Sequence, residues 1–397
     1  MTRAGMADIV VIGGGIAGLS AAARLAAHGR VVVIEAESHS GYHASGRSAT
    51  FYHFGIGNRP VRGMTAYSRA FFEQPPGDFA DHALCRPTPA LFVARAGMTA
   101  TLDALETEMR RFTDTVARVD AAEMLALLPV LKIGPEAVVA GVVDTGGRRL
   151  DADGLLQGYA RQLRQRGGDL VTDARIAAIG RVGGEWRVAS ERGDVFTAPI
   201  LVNAAGAWAD QVAGLAGVRP LGLQPKRRTI IIFDPPADID VGAWPFVKAA
   251  VDDFYMLPEA GRLMASPTDE IDSAPVDAQP EDYDIALAAS KVEDYTTLPP
   301  PRIRHRWAGL RSFVADRVPT AGFAPDAEGF FWLAGQGGYG LQTAPAMAEI
   351  VESLVTGAAW PAGLTALGVS PAQVLPGRLL LGREGGLERV KGIEPSS

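Results

Sequence analysis

Apolar residues in this chain gather into short runs separated by glycine turns and by amphipathic stretches. Residues 8–13, 31–35 and 200–204 are brief, apolar and rich in β-branched residues, the pattern of strands buried on both faces. Residues 329–334 (Gly-Phe-Phe-Trp-Leu-Ala) share it. Helical spacing occupies 60–74, 100–112, 120–128 and 152–167. The last stretch sets Leu155, Leu156, Tyr159, Ala160 and Leu163 on one face and arginines elsewhere. Segments 169–172, 175–181, 186–191 and 194–198, joined by turns such as Gly183-Gly184, predict short antiparallel strands. Between 217 and 314 the texture changes to proline-punctuated strands at 227–233, 246–248, 253–257 and 262–266, then a helix near 280–294. Little periodicity remains beyond 360, and residues 378–397 are expected to be loosely held or disordered.

The first strand runs into Gly13-Gly-Gly15-Ile-Ala-Gly18 and then a helical pattern. Gly13 permits the tight turn, Gly15 lets a pyrophosphate approach bare backbone, and Gly18 lets helix and strand pack closely. The helix start offers N–H groups and the positive end of its dipole to phosphate. A second strand follows and ends at Glu35, about 20 residues on, where a carboxylate accepts ribose hydroxyls. Strand, glycines, helix, strand and acid in this order predict a bound dinucleotide. Two further strand-to-helix junctions lie at Asn203-Ala-Ala-Gly206-Ala-Trp208 and at Gly335-Gln-Gly-Gly338-Tyr-Gly340. The second aims another helix N-terminus at negative charge developing on a cofactor.

The fold class expected is therefore α/β, a Rossmann-type dinucleotide-binding domain with an inserted antiparallel-sheet domain. The expected division is 1–85, 140–216 and 315–377 for the cofactor, 86–139 and 217–314 for the substrate, and 378–397 as tail. At 397 residues, 47% hydrophobic and 21% charged, the composition is that of a globular chain with sizeable cores. A net charge of −7 argues against a nucleic-acid partner. The single cysteine, Cys85, excludes an internal disulfide and a cysteine metal cluster, and no metal site is expected. No apolar run reaches the ~20 residues of a membrane span. With no signal-type segment before the first strand, a cytoplasmic location is expected.

Longer blocks carry a resemblance. They are Gly41-Tyr-His with Ser45-Gly-Arg-Ser-Ala49, Leu201-Val-Asn-Ala-Ala-Gly-Ala-Trp208, Val218 to Arg228, Trp307 to Asp316, and Gln336-Gly-Gly-Tyr-Gly340. Over most of residues 7–360 the chain resembles the D-amino-acid oxidase superfamily of FAD-dependent amine oxidoreductases, and within it most resembles the D-arginine dehydrogenases. The resemblance makes these a Rossmann-type FAD-binding domain with an inserted mixed or antiparallel-sheet substrate domain. It implies noncovalent FAD held by Gly13, Gly15, Ala17 and Gly18, by Glu35 and Ala36, and by Ala44, Ser45, Gly46, Arg47, Ser48 and Ala49. It adds Ile176, then Ala205, Gly206 and Trp208, then Gly337, Gly338, Tyr339, Gly340, Leu341 and Gln342.

It also implies a reaction, oxidation of the Cα–N bond of a D-amino acid by hydride transfer to the flavin, then hydrolysis to a 2-oxo acid and ammonia. Arg228, Arg311 and Tyr255 match residues at the substrate carboxylate, and the Gly338 carbonyl meets the amine. A bidentate guanidinium suits a carboxylate on physical grounds too. Oxidation of a secondary amine, such as an N-methyl or cyclic amino acid, is the alternative, and a non-catalytic or RNA-modifying flavoprotein a remoter one. The partner expected is a small amino-acid substrate; quinone, another carrier or oxygen remain open as electron acceptor.

Departures from the arginine-specific pattern concern the side-chain pocket, formed by Phe51, His53, Ile56, Ala90 and Leu341. Ala90 replaces the acid that receives a distal guanidinium, Phe51 replaces a histidine and Ile56 a tyrosine. His53 lies close enough to substitute in part. An unpaired guanidinium there would cost several kcal/mol of desolvation. A more apolar pocket is therefore expected, with an apolar or uncharged substrate side chain, unless Asp252 or Asp253 supplies an acid.

Overall fold

A computed structural model of the chain describes residues 4–299 and 302–380. Its centre is a six-stranded sheet in the order Asp169–Val171, Val31–Ile34, Ile9–Ile12, Ile200–Asn203, Phe330–Ala334 and Thr320–Phe323. All pairs are parallel except the last. The four apolar strands expected from the pattern are thus neighbours, and their burial, complete but for Ile200, follows from layers on both faces. Helices Ile16–Leu25, Ala152–Gln165 and Gly340–Thr356 cover one face. The other packs on a four-stranded sheet formed by Ala4–Met6, Val195–Ala198, Glu185–Ser190 and Ile176–Val182, and on helix Ala209–Leu215. Asp169–Val171 is a correction: it pairs parallel with Val31–Ile34, because helix Ala152–Gln165 crosses over the sheet before it.

A nine-stranded sheet roofs this core. Its path runs Ile271–Asp272, Gln224–Phe233, Arg262–Ser266, Tyr255–Glu259, Phe246–Ala249, Ala90–Arg95, Val138–Asp144 and Val116–Val119, with Ile303–Phe313 paired to Gln224–Phe233. The expected boundary between residues 139 and 140 falls inside one of these strands. The pairing is antiparallel but for Phe246–Ala249 beside Ala90–Arg95. One face buries an apolar cluster under helix Asp282–Tyr295; the other turns toward the parallel sheet.

The expectation of a loose tail is corrected at its start. Arg378 donates to both carboxylate oxygens of Asp316 and to the carbonyls of Val374, Leu375 and Val318. Residues 381–397 lie outside the described residues. Among the described residues, no helix is long and apolar enough to cross a membrane.

Candidate active site

Three cavities share walls and form one trough between the two large sheets. The first, about 340 Å³, begins at the glycine turn and is lined by Gly13, Gly15, Glu35, Ala36, Ile176 and Trp208 among others. Ala44, Ser45, Arg47 and Gly206 continue its wall into a second cavity of about 130 Å³, where Ala17, Ser48, Ala49, Gly337, Gly338, Gly340 and Leu341 appear. Ala205 lines the first cavity alone. Arg228, Tyr255, Arg311 and Gly338 lead from the second into a third of about 40 Å³ that also holds Phe51, His53, Ile56, Tyr339, Leu341 and Gln342. Residues distant in sequence therefore meet along one line.

Gly13 and Gly18 sit where a side chain cannot fit. Gly13 has φ +108°, and a Cβ there would stand 2.4 Å from the Ala204 carbonyl oxygen. At Gly18 a Cβ would lie 1.9 Å from the Gly13 oxygen, so this residue serves helix–strand contact and lines no part of the trough. Gly46 lines none of the three cavities, and its N–H donates to the Gly41 carbonyl. Glu35 is buried and accepts from the Gly14 and Glu37 amides at 2.6 and 2.8 Å. The Ser45 hydroxyl accepts from Ile16 N–H at the helix N-terminus.

Two residues do something other than expected. The Arg47 guanidinium is consumed by the Tyr42, Ala278 and Ala308 carbonyls and by Asp277, so it ties the loop to the roof. Gln342 spends its amide on the His53 backbone, in both directions at 3.3 Å, and on Thr65. Gln336, absent from the expected set, has a buried side-chain nitrogen without a partner and faces the second cavity. Bare backbone, a helix N-terminus, an acid beyond the second strand and an orphaned amide suit FAD.

The carboxylate clamp follows from strand register. Lys226 lies opposite Arg311, so Arg228, two residues on, shares the face of Arg311. Arg228 is buried; its Nε donates to the Asp269 carbonyl at 2.7 Å, and Glu270 stands 3.6 Å from Nη2. Nη2 has no hydrogen-bond partner, and neither has the Tyr255 hydroxyl. Burial, with Arg311 adding, pushes the Arg228 guanidinium down to about 10. Gly338 leaves room for Arg311, whose Cζ would lie 2.8 Å from a Cβ at that position.

The side-chain end departs from the apolar pocket expected. Ala90 is fully buried opposite Phe246 and lines none of the three cavities. Phe51 stacks on Phe246, ring centroids 4.5 Å apart, and walls that end of the pocket. Lys248 and Asp252 enter the lining as an ion pair at 3.2 Å, whereas Asp253 turns to Tyr295 and Lys291. Sequence reasoning missed Lys248; the available signal was a lysine inside the apolar run Phe246-Val-Lys-Ala-Ala250.

Residues 8–354 match the family described as DAO, FAD dependent oxidoreductase. Among curated proteins the chain is 25% identical over 253 residues to the uncharacterized oxidoreductase YurR of Bacillus subtilis (strain 168), covering 61% of this chain and 63% of that one. It is 29% identical over 176 residues to the bovine (Bos taurus) FAD-dependent oxidoreductase domain-containing protein 1, 39% of this chain and 35% of the other. The chain thus spans less than two thirds of the length of these relatives. Glycine oxidase from Geobacillus kaustophilus superposes with a TM-score of 0.77 at 20% identity, covering 89% of this chain and 96% of that one. L-proline dehydrogenase from P.horikoshii superposes at 0.78 and 20%, covering 96% and 99%. These likenesses establish the shared fold. With the match over residues 8–354, the chain belongs to the DAO family of FAD-dependent oxidoreductases.

Proposed function

We propose that this enzyme oxidises the Cα–N bond of a D-amino acid to the imino acid, which water then hydrolyses to a 2-oxo acid and ammonia. The supporting observation is the pair of buried orphans, Arg228 Nη2 and Tyr255 hydroxyl, in one cavity with Arg311. Two donors without a hydrogen-bond partner and a second guanidinium call for an anion of carboxylate shape. FAD, when bound, supplies the two-electron acceptor for the Cα hydrogen and its electrons. The chain's own residues hold and orient. Arg228, Arg311 and Tyr255 fix the carboxylate, and the Gly338 carbonyl accepts from the amine. No side chain is assigned as base, and placement supplies most of the effect.

In the same reading, FAD is noncovalent, the parallel-sheet segments carry it, and the large sheet carries the substrate residues. Asp252 does enter the lining, but its charge is already matched by Lys248 at 3.2 Å, so a cationic side chain finds no unpaired acid there and D-arginine is disfavoured. The D configuration rests on the sequence resemblance. The test is anaerobic bleaching of the flavin by a panel of D-, L- and N-methyl amino acids, followed by admission of air. Bleaching by D-amino acids alone supports the reading. Faster bleaching by N-methyl amino acids replaces it with secondary-amine oxidation, and no bleaching by any of them overturns it.

A further inference from the structure

Resting on that reading, we propose that Lys248 and His53 form a subsite for a second carboxylate, so that the substrate is a D-amino acid with an acidic side chain. The two residues line the small cavity that also holds the clamp. Lys248 lies directly opposite Tyr255 in the antiparallel pair, so both side chains leave the same face of the sheet. Opposed residues hold their Cβ atoms about 4.5–5.5 Å apart. A ligand gripped at one carboxylate by Tyr255 therefore has its far end beside Lys248 when its chain is four or five carbons long.

The state of Lys248 leaves it available. It is only 7% exposed, yet its ammonium reaches the Ala249 and Val251 carbonyls at 3.2 and 3.4 Å and Asp252 at 3.2 Å. All three contacts are longer than the ~2.7–2.9 Å of a good charge-assisted bond. The Asp252 side chain is 58% exposed, so it can turn to water while an incoming carboxylate takes its place.

His53 supplies the second donor. Its Nδ1 accepts from Gly55 N–H at 3.1 Å, which puts the proton of the neutral ring on Nε2. No group among the described residues accepts from Nε2. Phe51, Phe92 and Phe246 surround the ring and offer no acceptor. Burial, with Lys248 adding, pushes the imidazole down to about 3, so it stays a neutral donor. Gln342 grips the His53 backbone from both sides and fixes the ring's origin.

The experiment is calorimetric titration of the purified flavoprotein with butyrate and with glutarate, neither of which has an amine to oxidise. Wild type should bind glutarate at least about tenfold more tightly, the effect of one charge-assisted contact. Lys248→Met should remove the preference for glutarate over butyrate, and His53→Phe should reduce it. Flavin absorbance checks that each variant is folded, and Lys248→Arg should retain the preference if Lys248→Met does not fold. A ratio near one in wild type, or a preference that survives Lys248→Met, overturns the subsite alone. Butyrate binding indifferent to Arg228→Ala overturns the clamp and the subsite with it. In turnover, kcat/KM for D-glutamate over D-norvaline should fall by about tenfold in Lys248→Met.

Discussion

Gly338→Ala isolates the geometry of the clamp. The backbone at Gly338 is outside the left-handed region, so alanine adds no conformational strain. Its methyl, however, would sit 2.8 Å from Arg311 Cζ, 2.9 Å from Nη1 and 3.0 Å from Nε. Carbon contacts relax to about 3.5–4.0 Å, so the guanidinium must retreat by roughly 0.7–1.2 Å. A shift of ~1 Å in a positioning group can cost ~10²-fold in rate. The variant should fold and hold FAD, since the guanidinium is the end of a flexible side chain. Steady-state kinetics on the best amino acid should show kcat/KM reduced by about 30- to 100-fold. Because the loss passes through Arg311, it should not add to that of Arg311→Ala: the double variant should match the single arginine variant within about threefold. Wild-type kcat/KM in Gly338→Ala, or fully additive losses in the double variant, would refute the argument that glycine is there to seat Arg311.

Arg228→Ala removes one charge-assisted contact worth about 1.5–3 kcal/mol, so kcat/KM should fall roughly 10- to 150-fold with FAD content unchanged; steady-state assays check it. His53 is held neutral by burial, with a pKa of about 3 against 6.5. Between those values the unfolded chain binds a proton that the folded chain refuses, so stability falls as pH falls from 6.5 toward 3. Urea unfolding of wild type against His53→Gln should show wild type losing up to about 1.4 kcal/mol more per pH unit in that window, and equal slopes would remove His53 from the account. Acid precipitation should release all the yellow colour into the supernatant; colour kept in the pellet would show a covalent flavin.

Much was legible in the sequence because local rules apply there. Buried parallel strands are short and β-branched, and the turn at Gly13 and the contact at Gly18 admit no side chain, so the order of strand, turn and helix carried the cofactor half of the trough. Arg228 and Arg311 were marked by their blocks, and Tyr255 by the resemblance. Only tertiary structure decided the rest. The Arg47 guanidinium belongs to carbonyls 231 and 261 residues away. Ala90 shares a sheet with the pocket but is covered, because Phe246, its register partner, stacks on Phe51 at the pocket wall. Lys248 reaches the site only through the register that sets it opposite Tyr255. A strand's period of two says which residues share a face, but pairing across the sheet chooses their neighbours, and that choice is nonlocal.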